Sequence, residues 1–332
     1  MFGPVLFRQV LFRQVLFHQA NNADTRRTYL MLPLGVPASH AYLRGMEILK
    51  KLNPFRRRDP VVSVVRLSGV IGDAVPFGRG LGLRGVAGRL EAAFSGRRVK
   101  AVAVIVNSPG GSPVQSDLIQ QRIRDLAREK EKPVFVFCED VAASGGYWIA
   151  LAGNEIYANP SSIIGSIGVI SSGFGFEAAI AKLGIERRLH ATGAKKAMLD
   201  PFQAEDPAHV EHLRALQEDI FARFRDWVRE RRGARLTGEP EELFGGAFWT
   251  GAKALELGLI DGFGDVRGVM RERYGENVRF RVHGPREGML SRLGLRPKGL
   301  LSAGDGEGLG AGWAEALLAG IEARAMWNRF GL

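Results

Sequence analysis

Two apolar patterns alternate along the middle of this chain. Runs of consecutive apolar residues at 61–67, 99–106 and 134–137 read as strands, the second buried on both faces. Between them apolar residues recur at helical spacing, at 86–94 and again at 114–131, with Leu118, Ile119, Ile123 and Leu126 inward. Pro133 stops the second helix. Strand, helix, strand in this order predicts right-handed crossovers and the parallel sheet of an α/β fold. The unit then repeats more loosely. Residues 155–158 and 163–170 are expected strands, 176–183 a helix and 185–191 a strand. The longest predicted helix spans about 206–232, with Val210, Leu213, Leu216, Ile220, Phe224 and Trp227 at helical spacing on its core side. A small helix at 251–257 follows, and Gly258-Leu259-Ile260-Asp261 returns toward the sheet.

Outside residues 59–283 the pattern breaks. Val5-Leu6-Phe7-Arg8-Gln9 recurs at 10–14, and nearly at 15–19 with His18 in place of arginine. A five-residue period suits neither a helix face nor a strand face. Charge interrupts every apolar triplet, so the stretch is neither a membrane span nor a good signal peptide. Residues 1–58 are expected to be a disordered extension, or to reflect an upstream start codon with Met31 or Met46 nearer the true start. Residues 284–312 are glycine-rich and read as a mobile linker. A last amphipathic helix at 313–332 places Trp313, Leu317 and Ile321 on one stripe, to dock on the protein, on another subunit or on a membrane surface. No uninterrupted apolar run reaches the length of a transmembrane helix. The expectation is a cytoplasmic protein, with membrane contact at most peripheral.

Composition narrows the chemistry. Lys and Arg number 46 against 35 Asp and Glu, a net charge of +11. The basic residues cluster at Arg56-Arg57-Arg58, Arg187-Arg188, 229–235, and Arg271 with Arg273. Such a surplus suits anionic partners. Basic and aromatic residues do not interleave, however, and no nucleic-acid partner is expected. The single cysteine, Cys138, excludes an intrachain disulfide and reads as a small core residue ending a strand. Of six histidines only His209 and His212 share a helix face, without a third ligand, so neither metal nor cofactor is expected.

The candidate chemistry centres on Asp140-Val141-Ala142-Ala143-Ser144-Gly145-Gly146-Tyr147-Trp148. A strand runs into one serine flanked by small residues, and a buried helix starts behind it. That arrangement holds a hydroxyl out of the backbone at the positive end of a helix; an ordinary N-cap serine would read the same way. Asn107-Ser108-Pro109-Gly110-Gly111-Ser112-Pro113 ends the preceding strand. In a parallel sheet both loops fall on one edge. The N–H of Gly110 or of Gly111, opposite that of Gly145, would form an oxyanion hole. A serine nucleophile needs a base. The candidates are His190, Lys195, Lys196, Glu139 and Asp140, of which Lys196 stands in a glycine-opened loop before Asp200-Pro201-Phe202. Partial desolvation there would lower an amine's pKa enough to accept a proton.

Read together, these stretches resemble the signal peptide peptidase A / SohB family of serine peptidases. The matching residues are Asn107 to Gly111, Ala143-Ser144-Gly145-Gly146-Tyr147, Gly165-Ser166-Ile167-Gly168-Val169, and Gly193-Ala194-Lys195-Lys196 with Pro201-Phe202. Phe248-Trp249-Thr250-Gly251 with Ala254 and Gly258 to Asp261 is similar to the family's closing segment. The resemblance covers roughly 60–266. It implies a crotonase/Clp-protease-like superhelix of ββα units with long C-terminal helices. It implies Ser144 as nucleophile, Lys196 as general base with Lys195 as fallback, Ser166 orienting the amine, and Gly110 or Gly111 with Gly145 as oxyanion donors. It also implies peptide substrates such as remnant signal peptides, and a homo-oligomeric ring or dome. The N-terminal repeat departs from the transmembrane anchor of many members. Two other classes compete: a crotonase-like acyl-CoA enzyme using Glu139 or Asp140, and a non-catalytic scaffold.

Overall fold

The structure, a computed structural model, describes residues 59–284 except 73, 76, 77 and 194, and residues 320–331 except 322 and 323. The chain divides into two units, 1–58 and 59–332, and every described residue lies in the second. The extension expected at 1–58, the linker after Gly284, and Trp313 and Leu317 of the last helix lie outside the described residues.

Consecutive Val, Ile, Ala and Phe residues form strands because both sides of them are covered. β1 (Val61–Ser68), β4 (Val99–Ser108), β5 (Val134–Ala143), β6 (Glu155–Ala158), β9 (Gly262–Phe263) and β10 (Arg279–His283) pair in the order β10-β1-β4-β5-β6-β9, all parallel. β7 (Ile163–Gly165) extends β5 in parallel and takes β8 (Phe248–Thr250) as an antiparallel neighbour. The two-residue strands β2 (Ala74–Val75) and β3 (Gly78–Arg79) form a separate hairpin after β1.

Strand periodicity sorts the core into two layers. Val65, Leu67, Val102, Val104, Val106, Val134 and Val136 face one side. There they meet α1 (Leu83–Phe94), α2 (Pro113–Glu129), α3 (Gly145–Ala150) and the end of α5 (Pro207–Arg232). Val62, Val64, Ala101, Ala103, Phe135 and Phe137 face the other, under Met270 of α8 (Val266–Tyr274). The periodicity reading missed α8 and β10, whose apolar positions are few and interrupted by arginines. α4 (Glu177–Lys182), α6 (Pro240–Phe244) and α7 (Gly251–Glu256) are short, and residues 320–321 and 324–328 are also helical.

Two expected strands need correction. The run at 163–170 pairs only over β7, because Gly165 and Ser166 take φ of +113° and +52° and turn the chain out of the sheet. The run at 185–191 forms no strand; Ile185 and Leu189 are exposed and find no edge to pair with. Between Ile167 and Phe224 no described residue is buried. The first half of α5 therefore carries an apolar stripe that one chain leaves uncovered, and Leu216 is exposed.

This arm has its own organisation. Phe176 packs on Phe202 with ring centroids 5.5 Å apart, and its N–H donates to Pro201 O at 2.6 Å. Arg187 lies over the Phe202 ring and pairs with Asp200 at 3.3 Å.

One buried ion cluster closes the fold behind α3. Arg232 donates to Gly258 O and to Asp261, and Asp261 also accepts from the Ile156 N–H and from Arg235. Burial pushes the Asp261 carboxyl up, but the hydrogen bonds from Arg232 and Ile156 and the nearby guanidinium charges together hold it below the ordinary carboxylate value. A depressed folded-state pKa contributes stability that is complete above the unfolded value of about 4 and is lost as pH falls through the folded value. Asp261→Asn is expected to cost about 3 kcal/mol at pH 7, since it strands a buried guanidinium. It should also flatten the loss of stability below about pH 4. Urea melts of both proteins at pH 7 and pH 3 check this; equal steepness would refute the assignment.

Candidate active site

Ser144 sits between β5 and α3 with φ +52° and ψ −121°, the first central position of a type II′ turn, where glycine is the usual residue. A side chain held there is strained, and strain of this kind marks functional positions. Several contacts enforce it. The Ser144 N–H donates to Gly165 O at 2.8 Å, and the Trp148 N–H donates to Ser144 O at 2.9 Å. β5 and β7 run in register with Ala143 opposite Gly165, which brings Ser144 level with Ser166. Ser166 is buried, has the same positive φ, and its N–H donates to Ala247 O at 2.6 Å. Behind Gly165 lies the Trp249 ring, so that a Cβ on residue 165 would come within 2.7 Å of it. Glycine there is a packing requirement.

The end of β4 is clamped to the end of β5 by a side chain of the motif that closes β4. Asn107 Nδ2 donates to Asp140 at 2.7 Å, and Asn107 Oδ1 accepts from the Val141 N–H at 3.2 Å. This holds the irregularity where β4 and β5 lose register, between Val106 and Ser108. The fully buried Ser108 hydroxyl donates to Gly69 O at 2.7 Å and accepts from the Gly110 N–H at 3.2 Å. Gly110 is so close to the serine that a Cβ on it would stand 2.8 Å from Ser144 Cβ. Gly111 forms a parallel bridge with Ile71: the Ile71 N–H donates to Gly110 O and the Ser112 N–H to Ile71 O, both at 2.8 Å. That pattern leaves the Gly111 N–H out of the bridge. Among the described residues neither it nor the Gly145 N–H has an acceptor, and Gly111 N would lie 3.5 Å from a Cβ on Gly145. Two unspent N–H groups therefore flank Ser144, while that of Gly110 is spent.

Ser144, Gly111 and Gly145 open into a cavity of about 280 Å³. Trp148, Phe224 and Ile220 form one apolar wall, with Trp148 and Phe224 stacked at 4.6 Å. Val169 and Ile170 contribute a second wall, and Met326, Arg329 and Phe330 a third. Phe330 is anchored edge-on against Phe248 at 5.0 Å. An apolar pocket beside a strained serine and two free backbone donors can bind an extended peptide and stabilise an oxyanion at its carbonyl.

The other sequence candidates divide. Lys195 and Lys196 are exposed on the arm, where the Lys196 N–H closes a turn onto Gly193 O at 3.0 Å. Neither lines the Ser144 cavity, and neither does Ser166 or the exposed His190. Glu139 and Asp140 line a different groove of about 800 Å³, together with Arg66 and Asp265. Strand alternation explains this, because Glu139 continues the Phe135 and Phe137 face and pairs there with Arg66. Burial pushes the Cys138 thiol up to about 12, so no thiolate competes with the serine.

The family model described as Peptidase family S49 matches residues 126–276. Residues 126–276 belong to peptidase family S49. This S49 segment contains Ser144, Ser166 and Lys196, while Gly110 and Gly111 precede it. Among curated relatives, Protease 4 of Haemophilus influenzae is 34% identical over 206 residues, covering 61% of this chain and 32% of its own. A putative signal peptide peptidase of Enterococcus faecium is 32% identical over 170 residues, covering 51% and 48%. A protein of Brucella abortus named Na(+)/H(+) antiporter NhaA is 49% identical over 292 residues, covering 86% of this chain and 39% of its own. The chain thus spans about half or less of the length of these relatives. No helix among the described residues is long and apolar enough to cross a membrane.

Several residues around Ser144 gave no signal in the sequence. Ile71, which aligns Gly111, sits in an unremarkable turn, and Ile220 and Phe224 look like any core positions of a long helix. Met326, Arg329 and Phe330 reach the cavity from more than 180 residues away along the chain.

Proposed function

We propose that this protein is a serine peptidase that hydrolyses peptide bonds in unfolded or short apolar peptides, remnant signal peptides among them, through a Ser144–Lys196 dyad. The observation that carries this reading is the strained Ser144 between two acceptorless N–H groups, at the mouth of an apolar cavity, in a segment of family S49. In the proposed mechanism the neutral Lys196 amine takes the Ser144 proton as Oγ attacks the carbonyl carbon. The Gly111 and Gly145 N–H groups hold the developing oxyanion. Lysine returns the proton to the leaving amine, then deprotonates the water that releases the acyl group. Ser166 orients the amine.

Within one chain Lys196 does not line the Ser144 cavity. It sits on the arm whose Ile170, Phe174, Leu183 and Ile185 are exposed, an apolar display that a monomer would not carry without use. We therefore assign Lys196 to the serine of a neighbouring copy in a homo-oligomer. Co-assembly of Ser144→Ala with Lys196→Ala subunits tests this, with casein or an apolar fluorogenic peptide as substrate. Each variant alone should be inactive, and the mixture should recover activity because some sites regain both groups. Lys195→Ala should remain active. No recovery in a verified mixed assembly would refute the shared site, and activity in Lys196→Ala would remove that lysine as base.

The acyl-CoA reading has less support, because Glu139 and Asp140 lie in the groove with Arg66 rather than beside Ser144. Ion exchange is the named activity of the Brucella relative. Its match necessarily includes residues 126–276, and we assign that shared segment to peptide hydrolysis.

A further inference from the structure

Among the described residues Arg329 is the single charged one lining the Ser144 cavity. The lining contains no carboxylate among the described residues, and none of them gives Arg329 a carboxylate partner. Its one side-chain contact is with the neighbouring Phe330 ring, 5.9 Å from the guanidinium carbon. Some exposed arginines of this chain are paired, Arg66 with Glu139 and Arg223 with Asp117 for example, while Arg84, Arg97, Arg98 and Arg214, like Arg329, have no carboxylate partner among the described residues; what sets Arg329 apart is its place on the cavity.

The rest of the cavity offers donors. The Gly111 and Gly145 N–H groups are unspent. Arg329 is exposed at the cavity, and its planar guanidinium beside apolar walls is a fork that can hold a carboxylate by two N–H groups. The chain's net charge of +11 would draw anionic peptides toward such a site.

We propose that Arg329 is a specificity residue that receives a carboxylate of the bound peptide near the scissile bond, so that the preferred substrates combine apolar residues with one acidic group. This deepens the peptidase reading and rests on it. The carboxylate has two sources, an Asp or Glu side chain or the free C-terminus of a short peptide. The position of Arg329 explains the choice of group: the same residue sets a wall of the cavity and supplies the only charge among its described lining residues. Ser144 and Arg329 then act on different parts of one substrate, the first on the carbonyl and the second on the anion.

Two measurements on the full chain test this. Binding comes first, with the Ser144→Ala protein and fluorescent apolar peptides in matched forms: one Glu or Gln at each position, and C-terminal acid or amide. Tighter binding of the Glu forms over Gln would identify a side-chain carboxylate, and of acid over amide a terminal one. The preference should be about fivefold to tenfold and should shrink as salt rises. Arg329→Gln should abolish it, and Arg329→Glu should invert it toward the corresponding Lys peptide, which loss of a wall alone would not do. Equal binding of acidic and neutral forms overturns the proposal, as does a preference that survives Arg329→Gln.

Cleavage by the wild-type chain is then compared on the same peptides, reading KM against kcat. Cleavage that depends on Ser144 but ignores the peptide's charge overturns Arg329 specificity and leaves the peptidase reading intact. Cleavage that persists in Ser144→Ala overturns the peptidase reading itself, while the binding series still decides whether Arg329 holds a carboxylate.

Discussion

Ser144→Ala is expected to lower peptide hydrolysis by about 10⁴-fold or more, because Ser144 is the hydroxyl held between the two acceptorless N–H groups of Gly111 and Gly145. Cys138 is buried with its thiol pushed up to about 12, and among the described residues no acidic one lines the cavity. The companion Ser144→Gly separates chemistry from folding. Ser144 holds φ +52° and ψ −121°, a conformation that costs an L-residue about 1–3 kcal/mol and glycine little. Ser144→Gly should therefore be as inactive as the alanine variant yet more stable than wild type by about 1 kcal/mol, or about 2–4 °C in Tm. Ser144→Ala keeps the strain and should melt near wild type. Activity assays with scanning calorimetry on the three proteins check both halves. A glycine variant that melts lower would mean that the serine side chain stabilises the turn, contrary to the strained-nucleophile account.

Gly111→Ala should be the most damaging conservative change near the site. Gly111 has φ +140°, and a Cβ there would collide with the Ile71 carbonyl and come within 2.8 Å of Ile71 N. Relief requires breaking the bridge that aligns the Gly111 N–H. We expect a stability loss of about 2–4 kcal/mol from strain and backbone displacement. We also expect about 10²–10³-fold lower kcat in the fraction that remains folded, as for loss of one oxyanion donor. Gly110 gives the contrast: its N–H is already bonded to Ser108, so Ser108→Ala should cost stability with a smaller effect on kcat. Denaturant titration fixes the folded fraction of each variant. If Gly111→Ala loses activity only in proportion to that fraction, the N–H is not an oxyanion donor.

Much of the scaffold could be read from the chain. Continuous apolar runs announced β1, β4 and β5, since a strand covered on both faces has no polar side to show. Ser144 and the Gly110-Gly111 pair were recognisable as candidates because tight turns and close backbone approach favour small residues and glycine in fixed order. The choice between Gly110 and Gly111 was not, because it depends on where each N–H points, and that follows from the Ser108 hydroxyl and the Ile71 bridge. The strand expected at 185–191 failed for a related reason: an apolar run pairs only if a sheet edge is within reach, and β7 turns the chain away at Gly165 and Ser166. Local sequence determined which residues could form turns, strands and a nucleophile. The cavity walls from Ile220, Phe224 and Arg329, and the separation of Lys196 from Ser144, were decided by tertiary structure alone, because contacts between distant segments leave no periodic trace in either of them.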